Sequence, residues 1–507
     1  MDEPIFVRAA VDMLHRHSLD PEWFGNPGST IIYPIAALAE LWYQMAKHLP
    51  PFAHEMPGIR RELIVDPMPF YVIGRLVSVA YGVGSIAATW LLGRRILGGA
   101  GGVLAALVLA ASPIAVAYGQ LVRTDMAGTF FALIAIWLAV RAMASDRRRD
   151  WALSAIAIGL AISSRYFFAS LLVPYGAAAW LWYRSGSRSA TPGDRRRTLI
   201  VPAVALVLTP ITFAITSPFV LLDLPRAIAD IRFEARGVHP GADGLTPIGN
   251  LAWYIGEVLP STVGPALLLL AVFGAVVVAR RDARAATVLA AFSISYLVAV
   301  SASPLHWNRY VIPLIPVIGI CVSGCALAIG DAVARRIAGW QHRSRVTSDP
   351  AATDARTDKR LRPLGVGIAC AIMLFLLVPS LAGIAAADRV RAAPSTRVLA
   401  TRWIADNLPS NARIAEEMYT AYLEGTDYEL LRVFSLADRS LDAYRADGYS
   451  FVIRSSAMAD RFQDRERYPK ESDFYRSLDT NASLLASFHP DPEHAGPVIS
   501  IYDIRER

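Results

Sequence analysis

The feature that most constrains the fold of this chain is a series of long apolar runs separated by short polar loops. The runs are continuous, with neither the alternation of a half-buried strand nor the spacing of an amphipathic helix. Charged residues make up only 18% of the 507 residues, whereas a soluble chain carries about 25%. The pattern therefore predicts a polytopic α-helical membrane protein.

We predict ten membrane-spanning helices in this chain, at residues 70–92, 99–117, 126–143, 151–164, 167–183, 199–216, 262–279, 286–301, 310–329 and 364–387. These spans divide the chain into a first outer loop with interfacial helices (1–69), a transmembrane domain (70–330), a polar cytoplasmic linker (331–363), a last transmembrane helix (364–387) and a soluble extracytoplasmic domain (388–507).

The soluble C-terminal domain has the mixed pattern of an α/β fold. We predict helices at 395–409 and 474–485 and strands at 412–416, 449–455 and 498–503. No nucleophile or phosphate-binding loop stands out in it. The domain is either a lid or acceptor-docking module, or a purely structural cap.

Basic residues collect in every second loop, beginning with Arg94 and Arg95. The positive-inside rule places these loops in the cytoplasm of a protein of the inner or plasma membrane. The remaining loops and the C-terminal domain then face outward. Because the net charge of +7 comes from short loops between spans, it indicates topology and not nucleic-acid binding.

The first 69 residues fit this topology only if a further span precedes them or if one lies within them. Residues 29–47 are apolar but are interrupted by Pro34, Glu40 and Lys47, which favours an interfacial or re-entrant helix. We then expect one further span upstream of Met1. Alternatively, 29–47 is itself a span, which keeps the downstream topology and places Asp2 and Glu3 in the cytoplasm.

Charged residues at the outer ends of the spans are the first candidates for chemistry. Asp2 and Glu3 could act as a general base or bind a metal, or they could form a simple exposed acidic terminus. Arg123 and Asp125 lie close to the hydrocarbon, where charge is costly unless it is paired or functional. Arg165 lies between two short spans, where it either snorkels to the interface or binds phosphate.

Later outer loops add candidates for a donor or acceptor pocket, namely His239, Glu257, His306, Arg309 and Tyr310. The alternatives are an ordinary surface histidine and an aromatic belt at the interface. Taken together, carboxylates and arginines on the outer face favour a lipid-phosphate substrate, because guanidinium groups bind phosphate with two parallel hydrogen bonds. An activated group used outside the cytoplasm must arrive on a membrane carrier.

Several short motifs occur in a fixed order over about residues 1–330. They are Asp2-Glu3, Asn26-Pro27, Tyr33-Pro34, Gly93-Arg94-Arg95, Ser112-Pro113, Arg123-Thr124-Asp125, Ser217-Pro218-Phe219 with Asp223, and Arg309-Tyr310 with Pro313 and Pro316. In their order and sidedness these motifs resemble the GT-C superfamily, and in particular the bacterial relatives of protein O-mannosyltransferases and of the lipid A aminoarabinose transferase.

The resemblance implies transfer of a hexosyl or pentosyl group, with inversion, from a polyprenyl-phosphate carrier to a lipid, glycan or protein acceptor of the cell envelope. It implies that Asp2 takes the acceptor proton, that Glu3 supports it and that Asp125 is a second acidic position. Arg123, Arg165 or Arg309 would hold the lipid phosphate. The need for a divalent metal is left open, since members of the superfamily differ.

Two other classes of protein compete with this interpretation. A lipid or solute transporter, or a flippase, would carry charges near the bilayer midplane and often internal repeats. Here the charges lie at span ends on one face, which favours the enzyme. A non-catalytic membrane scaffold that presents the C-terminal domain is the third alternative.

Overall fold

A computed structural model describes residues 3–48, 58–145, 147–186, 200–343, 353–423 and 425–505. The chain forms two compact units. The larger unit, called the membrane unit below, comprises residues 3–238 and 244–381. The smaller, the C-terminal unit, comprises residues 382–505 together with 239–243.

The described part of the membrane unit is helical, and its long helices follow from continuous apolar sequence. The helices are α1 Glu3–His15, α2 Ser29–His48, α3 Ile59–Val65, α4 Met68–Leu97, α5 Gly99–Ala110, α6 Pro113–Gly119, α7 Asp125–Ser145, α8 Arg148–Ser164, α9 Leu172–Gly186, α10 Ile200–Thr216, α11 Pro218–Leu222, α12 Leu224–Glu234, α13 Pro247–Val263, α14 Pro265–Arg281, α15 Ala283–Ser301, α16 Ile315–Arg343 and α17 Thr353–Ala392. Two 3-10 segments, Tyr166–Leu171 and Asn308–Leu314, precede α9 and α16.

Helices lie at the positions of all ten predicted spans, but they do not all reach a spanning length. Within the described ranges, five helices are long and apolar enough to cross a membrane, or up to seven if each sharply bent pair counts as one span. The three remaining predicted spans, 151–164, 167–183 and 199–216, correspond to the shorter helices α8, α9 and α10. The multi-pass helical architecture is confirmed, and the count of ten spans stays a prediction.

Two spans are broken by sharp bends. Helices α5 and α6 meet at 67°, and α13 and α14 meet at 110°. Proline begins both second helices, at Pro113 and Pro265, where its missing N–H costs no helical hydrogen bond. Gly264 precedes Pro265 with φ of +92°, a conformation that a side chain would strain. The bends therefore follow from local sequence.

Close packing in the membrane unit depends on small residues. A Cβ atom at Gly102 would lie 2.7 Å from the backbone nitrogen of Arg94, so α4 and α5 can pack at this separation only with glycine there. The first helices pack separately: Phe6 of α1, Ile31 of α2 and Phe70 of α4 share one buried cluster. Residues 29–47 are thus helical, as expected, and one face of this helix packs against α1 and α4.

The predicted linker at 331–363 is shorter than the sequence pattern indicated. Helix α16 continues to Arg343, and α17 begins at Thr353, so helices occupy both ends of the linker. A run of small and charged residues, which we interpreted as a polar linker, is compatible with helix because alanine and arginine are strong helix formers.

The C-terminal unit has the predicted α/β architecture, built on one five-stranded sheet. Its elements after α17 are α18 Thr396–Asn407, β1 Arg413–Glu416, β2 Glu429–Arg432, α19 Leu441–Ala446, β3 Phe451–Ser455, α20 Ser456–Ala459, α21 Pro469–Asn481, β4 Ser483–Phe488 and β5 Ile499–Asp503. The spatial order is β2-β1-β3-β5-β4, with β2, β1 and β3 parallel and β3, β5 and β4 antiparallel.

The sequence missed two of these strands. The predicted helix at 474–485 is wrong at its end, because α21 stops at Asn481 and Ser483–Phe488 forms β4 at the sheet edge. Leu484 and Leu485 are 55% and 40% exposed there, so they lack the buried alternation that identifies a strand. The other missed strand, Glu429–Arg432, is also an edge strand.

A buried carboxylate organises the carboxyl ends of the parallel strands. Glu417, which directly follows β1 and is 2% exposed, accepts hydrogen bonds from the backbone N–H groups of Ser455 at 2.7 Å and Leu436 at 3.1 Å. It also accepts one from the hydroxyl of Tyr475 at 2.6 Å. Burial raises the pKa of Glu417 to about 7, although these hydrogen bonds oppose the change.

Candidate active site

Four predicted site residues meet in one buried cluster of the membrane unit. Asp125 is the first residue of α7, and Arg123 lies in the short loop before it. Arg165 connects α8 to the first 3-10 segment, and Arg309 lies within the second. All four side chains therefore lie at the ends of helices or in short connections between them, and each residue is at most 9% exposed.

The carboxylate of Asp125 is the centre of the cluster. Its Oδ2 accepts a hydrogen bond from Nε of Arg123 at 3.2 Å, and its Oδ1 accepts one from Nη1 of Arg165. Nε of Arg309 lies 4.0 Å from the same Oδ1. Because both oxygens are engaged by guanidinium groups, Asp125 is suited to orient the arginines and poorly placed to accept a proton from an acceptor.

Aromatic rings support two of the arginines from the side. The guanidinium of Arg165 lies 4.6 Å from the centre of the Tyr310 ring. Arg309 lies 4.5 Å from the ring centre of Trp307 and 5.5 Å from that of Tyr310. Such cation–π contacts stabilise a buried guanidinium and fix its plane. Tyr310, which we predicted in the donor or acceptor pocket, thus lies within the cluster.

Two donors in the cluster are left unused. Nε of Arg165 and Nε of Arg309 are buried and have no hydrogen-bond partner among the described residues. A buried donor without a partner costs free energy, roughly 1–3 kcal/mol and more for a charged group. Within the four-residue cluster, moreover, three guanidinium groups face a single carboxylate. Such an arrangement favours the binding of an anion.

Glu3 forms a second ion pair, with Arg75, beside the loop that leads into the arginine cluster. Its two oxygens each accept a hydrogen bond from Arg75 at 3.0 Å, and Oε1 also accepts one from the backbone N–H of Val122 at 3.1 Å. Val122 immediately precedes Arg123. Glu3 therefore anchors the loop that carries Arg123 and Asp125. Asp2, the predicted catalytic base, lies outside the described residues.

His239 is placed in the C-terminal unit and is not a member of the arginine cluster. Its ring packs edge-on against Phe434, and its backbone N–H donates to the carboxylate of Asp243 at 2.7 Å. Asp243 in turn pairs with Arg467 at 2.9 Å. The segment His239–Asp243 is thus attached to the C-terminal unit, and the proximity of His239 to the other candidates stays a prediction.

The other two pocket candidates lie on or beside the bent helix α13. The ring of His306 packs edge-on against Trp253, with ring centres 4.6 Å apart. Glu257 is exposed and lies in a π-helical turn, Tyr254–Val258, within α13. Their place in a donor or acceptor pocket stays a prediction.

Sequence reasoning noted Asn250 and Tyr254 in the long outer loop but gave them no role, and both are fully buried. The hydroxyl of Tyr254 accepts a hydrogen bond from the backbone N–H of Trp307 at 3.2 Å. The amide of Asn250 donates to the backbone oxygens of Ser301 at 3.2 Å and Ser303 at 2.9 Å. Their spacing of four residues on one helix was the available signal, since it places both on one face.

The described residues contain no group of three or more His, Cys, Asp or Glu side chains that could hold a metal ion. Because Asp2 lies outside these residues, the structure does not test a metal site at the acidic pair.

Residues 72–219 match the sequence family described as dolichyl-phosphate-mannose-protein mannosyltransferase. The matched segment contains Arg123, Asp125 and Arg165. The fold defines a polytopic helical membrane protein, and a segment of its membrane unit is similar to this mannosyltransferase family. No curated protein sequence matches the chain significantly.

Two solved structures are similar to nearly the whole chain. The crystal structure of ArnT from Cupriavidus metallidurans in the apo state has a TM-score of 0.53 at 14% identity, covering 99% of this chain and 93% of ArnT. ArnT bound to undecaprenyl phosphate gives a TM-score of 0.52 at 16% identity, with the same coverage. The predicted resemblance is therefore confirmed at the level of the fold, which this chain shares with ArnT over nearly its whole length.

Proposed function

We propose that this protein is a membrane glycosyltransferase that moves a sugar from a polyprenyl-phosphate carrier to an acceptor on the outer face of the membrane. The observation that carries the proposal is the buried cluster around Asp125, with unused guanidinium donors on Arg165 and Arg309. The mannosyltransferase family match and the ArnT structure with bound undecaprenyl phosphate support a lipid-phosphate donor.

The reaction proceeds by a single displacement at the anomeric carbon of the sugar. An acceptor oxygen or nitrogen attacks this carbon from the face opposite the phosphate, so the configuration inverts. The bond between the anomeric carbon and the phosphate oxygen breaks, and its electrons stay on the departing polyprenyl phosphate. Asp2 takes the acceptor proton, and Glu3 holds the neighbouring loop in place.

The arginines contribute by stabilising the charge that develops on the phosphate. The donor is a phosphate diester with one negative charge, and the released polyprenyl phosphate gains a second as the bond breaks. Guanidinium groups that are already oriented by Asp125 and Tyr310 need no reorganisation at that moment. Interactions that strengthen in the transition state lower the barrier, whereas uniform binding does not.

The acceptor and the sugar are proposed only as classes. The active site and the C-terminal unit face outward in this proposal, since basic loops mark the opposite side. The donor group is a hexose or pentose, and the acceptor is a lipid, glycan or protein of the cell envelope. The role of the C-terminal unit, whether lid, acceptor-docking domain or structural cap, stays a prediction from the sequence.

The deciding experiment measures release of polyprenyl phosphate from a panel of polyprenyl-phospho-sugars by the purified protein in detergent. We expect release by the wild type, and its loss in Asp2→Asn and in Arg309→Ala. Asp150→Asn, which alters a buried ion pair with Arg141, serves as the control. If the lipids bind and cross a reconstituted bilayer without release of sugar, the protein is a transporter or flippase.

A further inference from the structure

One contact of the membrane unit explains how Arg309 is held at its position. Arg309 follows a non-helical stretch, Ala302–Trp307, that leaves the end of α15 at Ser301. A loop of this kind has no backbone hydrogen-bond ladder of its own, so its conformation depends on side chains from neighbouring elements. Both ends of the loop are held by the same helix, α13.

The two side chains that hold the loop are Asn250 and Tyr254. Asn250 donates from its amide nitrogen to the backbone oxygens of Ser301 and Ser303, at the start of the loop. Tyr254 accepts the backbone N–H of Trp307 at its end. Both side chains are 0% exposed, so water does not compete for these hydrogen bonds.

The contact between Tyr254 and Trp307 connects helix α13 to the arginine cluster around Asp125. The ring of Trp307 lies against the guanidinium of Arg309 at 4.5 Å. Fixing the backbone of Trp307 therefore fixes the surface on which Arg309 rests. Tyr254 is also the first residue of the π-helical turn, a widened turn that recurs at functional sites.

We propose that Asn250 and Tyr254 are positioning residues that set the location of Arg309 and thereby the affinity of the site for the lipid phosphate. This inference rests on the proposed function, which supplies the ligand. It can still be tested by measuring binding of the lipid phosphate alone, without catalysis. The ligand is the phosphate headgroup of a polyprenyl phosphate. Neither residue touches that headgroup in this proposal, since Tyr254 acts through Trp307 and Asn250 acts through the start of the same loop.

The test compares Tyr254→Phe and Asn250→Leu with wild type, because each substitution nearly keeps the size of the side chain and removes the hydrogen bond without adding a charge. Tyr175→Phe is the matched control: Tyr175 is a buried tyrosine of the same unit whose hydroxyl donates to the backbone oxygen of Pro202 at 2.9 Å. The readouts are the Kd for undecaprenyl phosphate, kcat and KM for an active donor, and the Tm in detergent.

We expect Tyr254→Phe and Asn250→Leu to weaken binding of undecaprenyl phosphate about three- to tenfold. The KM for the donor rises by a similar factor, and Tyr175→Phe lowers the Tm without changing the Kd. The inference is overturned if both variants bind undecaprenyl phosphate as wild type does, or if Tyr175→Phe weakens binding equally. If wild type binds this lipid but releases no sugar from any donor, the proposed function fails separately.

Discussion

Asp125 and Arg165, forty residues apart in the chain, share a hydrogen bond between side chains that are 3% and 4% exposed. Taking either charge out of water alone would cost several kcal/mol. Each group therefore depends on the other, and the pair fixes the start of α7 against the end of α8. This relationship makes the cluster both a structural element and a candidate binding site.

Asp125→Asn should lower both stability and lipid binding. The amide keeps the shape but leaves Arg165 without a buried counter-charge, which typically costs about 3–5 kcal/mol. The measurement is the thermal unfolding of the detergent-solubilised protein together with the Kd for undecaprenyl phosphate.

Asp150→Asn separates these two effects. Asp150 is 0% exposed and accepts two hydrogen bonds from Arg141, at 2.8 and 2.6 Å, so the substitution also breaks a buried pair. We expect a lower Tm and an unchanged Kd. A Kd that moves equally in both variants would show that lipid binding simply follows stability.

Arg309→Lys should weaken lipid binding by about tenfold while changing stability little, because lysine keeps the charge and loses the planar fork. The same change at Arg165 should destabilise the protein more, since Arg165 donates to Asp125 whereas Arg309 lies 4.0 Å away. The two variants are compared by Tm and by Kd for undecaprenyl phosphate. If Arg165→Lys and Arg309→Lys lower the Tm equally, the larger structural role assigned to Arg165 is contradicted.

The stability of the C-terminal unit should fall as the pH rises from about 4.5 to above 7. The pKa of Glu417 is raised from 4.5 to about 7, so the folded protein binds its proton more tightly than the unfolded chain does. The stabilisation is fully present below 4.5 and is lost as the pH rises through 7, on the order of 3 kcal/mol in total.

Glu417→Gln provides the control for this pH dependence, because the amide does not ionise. Unfolding followed by limited proteolysis across pH 4.5 to 8 should show a flatter profile for the variant than for wild type. An unchanged slope would assign the effect to another group.

Asp243→Ala should release the His239–Asp243 segment from the C-terminal unit. The side chain of Asp243 is 1% exposed and pairs with Arg467, and its loss removes the hydrogen bond to the backbone of His239. We expect faster tryptic cleavage after Arg236, three residues before the segment. Asp473→Ala, at an exposed carboxylate that is 58% accessible, should leave the cleavage rate unchanged.

The sequence predicted the membrane helices because continuous apolar runs need no knowledge of tertiary contacts. It also placed Arg123, Asp125, Arg165 and Arg309 on the outer face, within a larger set of charged candidates whose cost near the hydrocarbon marked them as paired or functional. The structure brings these four into one cluster. Their roles in catalysis stay predictions.

What the sequence did not reveal depends on contacts between distant residues. The sequence places Asn250 and Tyr254 on one face of a helix but does not show what they contact, because their partners lie about fifty residues further along. The edge strand β4 lacks a buried face, and its pairing with β5 decides its conformation. His239 was grouped with the outer-loop candidates, whereas its contacts lie in the C-terminal unit.

The unused donors on Arg165 and Arg309 have a practical consequence for handling the protein. A buried site that favours anions accepts any small oxyanion able to reach it, including components of common buffers. Inorganic phosphate or sulfate in a purification buffer would then compete with the lipid and mask activity. Assays in buffers free of oxyanions, followed by titration with phosphate, should show inhibition that depends on the concentration of the lipid donor.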